Sequence, residues 1–186
     1  MNKFIKRKKE EKMPKIIENV RGKLLEEARR QIEERGYKET TVRSVASALS
    51  IGLGTLYNYF ESKDMLVASF MLEDWNESMT KMRESIESCE DAHEKLRLIY
   101  EGLRAFSDRH KKLFSDPSAR KTYAHTMQER HPLLIGQISS IILPILSASD
   151  IEDKKLLSDF IAESILTWSA SGREYTELAP VFAKLI

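Results

Sequence analysis

Apolar residues in this chain return every three or four positions over almost its whole length and show no alternating pattern. That period marks one buried face of an α-helix, whereas a half-buried strand would alternate. Pro14 suits a first helical turn, and from there Ile17, Val20, Leu24, Ala28 and Ile32 form the first stripe, stopped at Gly36. Thr41 offers an N-cap hydroxyl before Val42, Val45, Ala46 and Leu49, and after Ser50-Ile51-Gly52 a third short segment runs from Leu53 to Phe60. Ser62 caps a long helix reaching past Met82. Further helices are expected at about 91–112, 118–131, 133–149, 153–172 and 175–186, with breaks at Pro117, Pro132 and Gly172, and Pro144 ending or kinking its helix. Seven Gly and five Pro among 186 residues are too few to punctuate a strand-and-turn fold. The expected fold is all-α, about nine helices.

Composition narrows the class. Hydrophobic residues at 41% and charged residues at 32% fit neither a disordered tail nor a membrane protein. The longest apolar run, 133–146, is broken by Gln137, Ser139, Ser140 and Pro144 and falls short of the ~18 residues of a membrane span. The N-terminus lacks the apolar stretch of a signal peptide, so a cytoplasmic protein is expected. A single cysteine, Cys89, excludes an intramolecular disulfide framework and a cysteine-rich metal site.

The net charge of +1 conceals an asymmetry. Residues 1–65 carry 15 Lys/Arg against 10 Asp/Glu, and residues 66–186 carry 15 against 19. Seven of the basic residues fall within the first 15, where residues 1–14 read as a flexible basic arm: either a solvated tail or an auxiliary contact to a polyanion.

Three short helices with a tight break between the second and third describe a helix-turn-helix. At about 100° per residue, Leu56 and Phe60 share the inward face of the third helix. Gly54 and Asn58 point away, flanked by Thr55 and Tyr57. A bare backbone, an amide and hydroxyls suit close approach to DNA, with base edges and phosphates both in reach.

The segment from about Lys23 to Leu66 resembles the N-terminal domain of the TetR family of bacterial transcriptional regulators. The resemblance runs through Leu25, Ala28, Glu34-Arg35-Gly36-Tyr37, Thr40-Thr41-Val42 and Val45-Ala46. It is most specific in Gly54-Thr55-Leu56-Tyr57-Asn58-Tyr59-Phe60-x-Ser62-Lys63. It implies a homodimer that places one such helix per subunit in the major groove of a near-palindromic DNA operator. Thr41, Tyr57, Tyr59 and Lys63 would contact phosphates, with Gly54, Thr55 and Asn58 against bases or nearby backbone. Arg43 is a further phosphate candidate, and Tyr59 has the alternative of partial burial beside Phe60. The sequence departs from the family at Ser50, where Gly is common, at Gly52, where Ser is common, and at Leu53, often polar. Gly52 can still cap a helix, and Leu53 either meets a thymine methyl or packs.

The division expected from this resemblance is a helix-turn-helix domain over 15–62 and an effector-binding and dimerisation domain over 63–186. Candidate pocket residues are Trp75, Met79, Met82, Tyr100, Phe106, Phe114, Tyr123, Met127 and Trp168, each with plain core packing as the alternative. The dimer face is expected on the last two helices, through Phe160, Ile161, Ile165, Trp168, Leu178, Val181, Phe182 and Leu185, against the alternative of contacts within one chain. The expected function is a repressor released from its operator by a small, mostly apolar effector. The competing reading is a ligand-blind regulator, governed by a protein partner or acting as an activator, which a C-terminal half without a cavity would favour. No cofactor is expected. Nor is an enzyme: no Gly-x-Ser-x-Gly elbow occurs, Gly52-x-Gly54 lacks its third glycine, and His93, His110, His125 and His131 lack metal-ligand spacing.

Overall fold

The computed structural model describes residues 19–148 and 152–186, with the side chains of 123–128 and of Ala148 outside the description. The expected basic arm and the start of the first helix also lie outside the described residues. Among those described, the elements in chain order are α1 (Val20–Arg35), α2 (Val42–Ala48), α3 (Leu53–Tyr57), α4 (Lys63–Glu87), α5 (Ala92–Arg109), α6 (Lys111–Ser115), α7 (Pro117–Ile142), a 3-10 segment (Leu143–Ala148), α8 (Lys154–Ala170) and α9 (Tyr175–Phe182). The fold is all-α, and among the described residues no helix is long and apolar enough to cross a membrane.

Caps set several of the boundaries. The Thr41 hydroxyl accepts from Ser44 N and the Ser44 hydroxyl from Thr41 N, a reciprocal cap that starts α2. Gly36 ends α1 at φ +85°, a left-handed conformation that suits glycine. Ser62 and Asp91 cap α4 and α5 by accepting from Met65 N and Glu94 N.

Two apolar cores divide the molecule, and α4 belongs to both. The N-terminal core holds Leu24, Leu25, Ala28 and Ile32 of α1, Val45 and Ala46 of α2, and Leu56 and Phe60. It also takes Leu66, Val67 and Phe70 of α4, Leu113 of α6 and Ala119 of α7. Packing therefore runs across the expected boundary at 62/63. The C-terminal core gathers Trp75, Met79 and Met82 with Leu96, Ile99, Tyr100 and Leu103 of α5, Ile138, Ile141 and Ile142 of α7, and Ile161, Ala162 and Ile165 of α8. Along α5 and α4 the approach is close: a Cβ on Gly102 would lie 2.4 Å from Met82 Cγ.

Three expectations about helices are corrected. Pro132 does not separate two helices; α7 runs through it. The cost of a helical proline, about 3 kcal/mol, is borne because Ile138, Ile141 and Ile142 beyond it pack into the core and tertiary packing supplies most helix stability. The helix expected over 91–112 ends instead at Arg109, where His110 turns the chain (φ −99°, ψ 12°) and starts the separate α6. The last helix stops at Phe182 instead of reaching 186.

Candidate nucleic-acid interface and effector cavity

At five residues α3 is too short to stand alone. It is pinned by Leu56, with no exposure, and by Phe60 just after it, each side-chain burial contributing about 2 kcal/mol. The opposite side is open: Gly52, Gly54, Thr55, Tyr57, Asn58 and Tyr59 are all exposed. Tyr57 and Tyr59 are 46% and 47% exposed, so each keeps about half its surface open beside the buried Phe60. Asn58 is the C-cap of α3 instead of a mid-helix position. Leu53 is half-buried against the N-terminal core, so it packs. The turn between α2 and α3 carries Ser50 at φ +56°, the left-handed region, where the family commonly has glycine. Thr41 and Arg43 are exposed at the start of α2.

Lys63 has a second occupation. Its ammonium donates to the carbonyls of Tyr37 at 2.9 Å and Thr40 at 3.1 Å, and lies over the Tyr37 ring. Burial pushes its pKa down, against the opposing pull of Asp64 and Asp116. The Tyr37 hydroxyl in turn donates to Asp64. These bonds hold the link between α1 and α2 against the start of α4, leaving one Lys63 N–H for another partner.

Beyond this unit, α4, α5, α6, α7 and α8 surround a cavity of about 610 Å³. Trp75, Phe106 and Phe114 from the expected pocket set line it, the first two edge-to-face at 5.3 Å. Trp75 also donates its indole N–H to Gln137 Oε1 at 2.6 Å. Met79, Met82 and Tyr100 are corrected to core: they lie past the cavity, packed between α4 and α5, and Tyr100 donates its hydroxyl to Arg173 O. Trp168 is outside the cavity lining and carries the Arg173 guanidinium over its ring at 4.5 Å. The side chains of Tyr123 and Met127 lie outside the described residues. Unforeseen in the sequence are Val67, Ala68, Met71 and Leu72 on one wall and the polar Arg120, Arg130 and His131 on another. His131 pairs with Glu163 of α8 at 2.8 Å. No spacing signal could have singled these out, because the wall depends on how α7 crosses α4.

Four residues of the dimer face expected on α8 and α9 are corrected to core. Ile161, Ile165, Leu178 and Phe182 are buried within the chain's own core and have no surface to offer a partner. Leu185 is half-buried against that core, and Val181 and Phe160 are exposed. Further exposed apolar side chains stand on α7, its end and α8: Leu133, Leu156 and Phe160 are 68%, 65% and 55% exposed, and Leu143 is exposed as well.

Residues 24–70 match the family model described as bacterial regulatory proteins, tetR family. The chain is 22% identical over 183 residues to the fatty acid metabolism regulator protein of Bacillus subtilis, covering 91% of each. It is 33% identical over 86 residues to the HTH-type transcriptional repressor KstR2 of Mycobacterium tuberculosis, covering 45% of this chain and 42% of that one. In fold it is similar to the transcriptional regulator FadR from Bacillus subtilis in complex with stearoyl-CoA, with a TM-score of 0.56, 20% identity and coverage of 88% and 96%. These relatives are transcriptional regulators, and no catalytic family is indicated. Residues 24–70 thus carry the tetR-family match, and with the helical body that follows them the chain is similar along most of its length to transcriptional regulators.

Proposed function

We propose that the chain acts as a homodimeric cytoplasmic repressor, holding a near-palindromic operator until a small, mostly apolar ligand enters its cavity. The observation that carries this is the pairing of an open polar helix face with a cavity of about 610 Å³, joined by one continuous helix, α4. The helix-turn-helix unit of 15–62 would place Gly54, Thr55 and Asn58 against bases or adjacent backbone. Thr41, Arg43, Tyr57 and Tyr59, with the third N–H of Lys63, would reach phosphates. Gly52 would leave amides open at the start of α3.

In this reading the body over 63–186 supplies both the ligand site and the dimer contact. The exposure of Leu133, Leu143, Leu156 and Phe160 supports pairing of α7 and α8 with their symmetry mates as a four-helix bundle. Apolar walls from α4 and α5 with Arg120 and Arg130 across from them suit a chain-like ligand bearing an anionic head. The similarity to a regulator in complex with stearoyl-CoA supports an acyl-CoA. The cavity favours this reading over a ligand-blind regulator.

The test is fluorescence anisotropy on the protein's own upstream DNA against a scrambled duplex, at several salt concentrations, with and without stearoyl-CoA. Preference for the upstream DNA at dimer stoichiometry, weakened by stearoyl-CoA, is the expected result. Equal affinity for both duplexes, lost wholly with salt, would reduce the helix face to a non-specific basic surface.

A further inference from the structure

Where the two cores meet, one carboxylate is shared between them. Asp74 of α4 is 2% exposed. From α1 of the DNA-binding unit, Arg29 holds it with a two-pronged grip: Nε at 3.0 Å from Oδ2 and Nη2 at 2.7 Å from Oδ1. From the other side, His110 brings Nε2 to 3.1 Å from Oδ2, off the line of a good hydrogen bond and with no other partner for that nitrogen among the described residues. Arg109 stands further out, 4.0 Å from Oδ1, and reaches Glu33 and Glu77 as well.

The His110 ring is also in the aromatic packing behind the cavity. Its centroid lies 4.7 Å from Phe106 and 6.1 Å from Phe114, and both of those rings line the cavity. On its remaining side it stacks on Phe70 of the N-terminal core. We propose that Asp74 is the positioning residue through which the state of the cavity wall is conveyed to α1 and the helices packed on it. This deepens the reading above and rests on it for the identity of the effector.

A buried, unsatisfied ring nitrogen beside a carboxylate favours two discrete arrangements, aligned or not, over a graded one. The choice between them depends on small displacements of Phe106 and Phe114, which an occupant touching only apolar groups can cause. On the far side the Arg29 grip is rigid in both distance and plane, so a change at the carboxylate becomes a change in how α1 sits on α4. The rival route is apolar, through Leu113 and Ala119, which pack directly into the N-terminal core.

A double-mutant cycle on the full chain separates the two routes. Amide hydrogen exchange of α1 would be measured in the native protein, Phe114→Ala, Asp74→Asn and the combined variant. Phe114→Ala should speed α1 exchange by at least about fivefold, the lower range of an allosteric coupling, and by less than about twofold once Asp74 is Asn. The same increment in both backgrounds overturns the proposal in favour of the apolar route. Should Asp74→Asn fail to fold by circular dichroism, His110→Asn takes its place in the cycle with the same expectation. In a parallel arm, stearoyl-CoA should weaken binding to the upstream DNA in the native protein but not in Asp74→Asn, while still quenching Trp75 in both. If stearoyl-CoA leaves native DNA affinity unchanged and exchange is still non-additive, the acyl-CoA reading falls and the Asp74 relay stands.

Discussion

Lys63 sets its ammonium 3.6 Å from the centre of the Tyr37 ring while donating to the carbonyls of Tyr37 and Thr40. A residue expected to touch phosphate is thereby built into the DNA-binding unit as a brace. Lys63→Met should lower stability by about 1–2 kcal/mol, from two hydrogen bonds and a cation–π contact. It should reduce the salt dependence of operator binding less than Arg43→Met does. Urea unfolding and salt-dependent anisotropy measure the two; a full loss of ~0.9 in slope with unchanged stability would make Lys63 a phosphate contact alone.

Gly54 separates folding from recognition. A Cβ there would meet nothing within 4 Å among the described residues, which leaves room for a side chain. Gly54→Ala should leave stability unchanged or raise it by about 0.5–1 kcal/mol through helix propensity. If backbone approach to DNA needs the bare position, the same change should cost tenfold or more in operator affinity, about 1.4 kcal/mol. Thermal melts and anisotropy on one preparation decide it.

Ser50 sits at φ +56° in the turn between α2 and α3. Ser50→Gly should stabilise the protein by about 1 kcal/mol by removing the strain of a left-handed serine, and Ser50→Ala should give no gain. Denaturant midpoints of the three proteins test this.

Acid should weaken the joint at Asp74. Burial opposes ionisation there, but His110, Arg29 and Arg109 outweigh it and hold the carboxyl below its ordinary value of 3.8. A folded pKa lower than the unfolded one contributes stability that is present above the unfolded value and lost as pH falls through the folded one. Unfolding free energy should therefore drop below about pH 4, less steeply in Asp74→Asn than in the native chain. Parallel slopes from pH 6 to 3 would contradict the assignment.

Phe160 of α8 and Leu133 of α7 are both exposed apolar side chains. Phe160→Glu should halve the mass in solution by light scattering without changing helix content, since neither core loses a side chain. A native protein already monomeric would dispose of the proposed pairing.

The N-terminal unit was legible because its signals are local. Thr41 and Ser62 cap within three residues, Gly36 stops α1 beside its last turn, and Leu56 and Phe60 mark a face by spacing alone. The body was less so, because its decisive contacts are distant in sequence. Nothing near His110 announces a break; the break comes from Asp74, 36 positions earlier, and from three aromatic rings. Pro132 signals a helix end that packing overrides. Met79 and Met82 continue the stripe of Trp75, yet only the first half of α4 borders the cavity. Ile161 and Phe160 are adjacent letters with opposite surroundings, and only the crossing of α7 with α8 decides which faces outward.

The sharing of α4 bears on how such regulators can be recombined. Leu66, Val67 and Phe70 belong to the core of the DNA-binding unit, while Trp75, Met79 and Met82 belong to the body. A chimera cut at Ser62 would carry a foreign surface into the N-terminal core. A seam within 71–73 would keep Leu66, Val67 and Phe70 with their own core, but Leu113 and Ala119 of that core would still come from the other parent, and Asp74 would be severed from its arginine unless the donor supplied an equivalent of Arg29. New specificities built by splicing would then bind DNA and ligand separately and lack the response that links them.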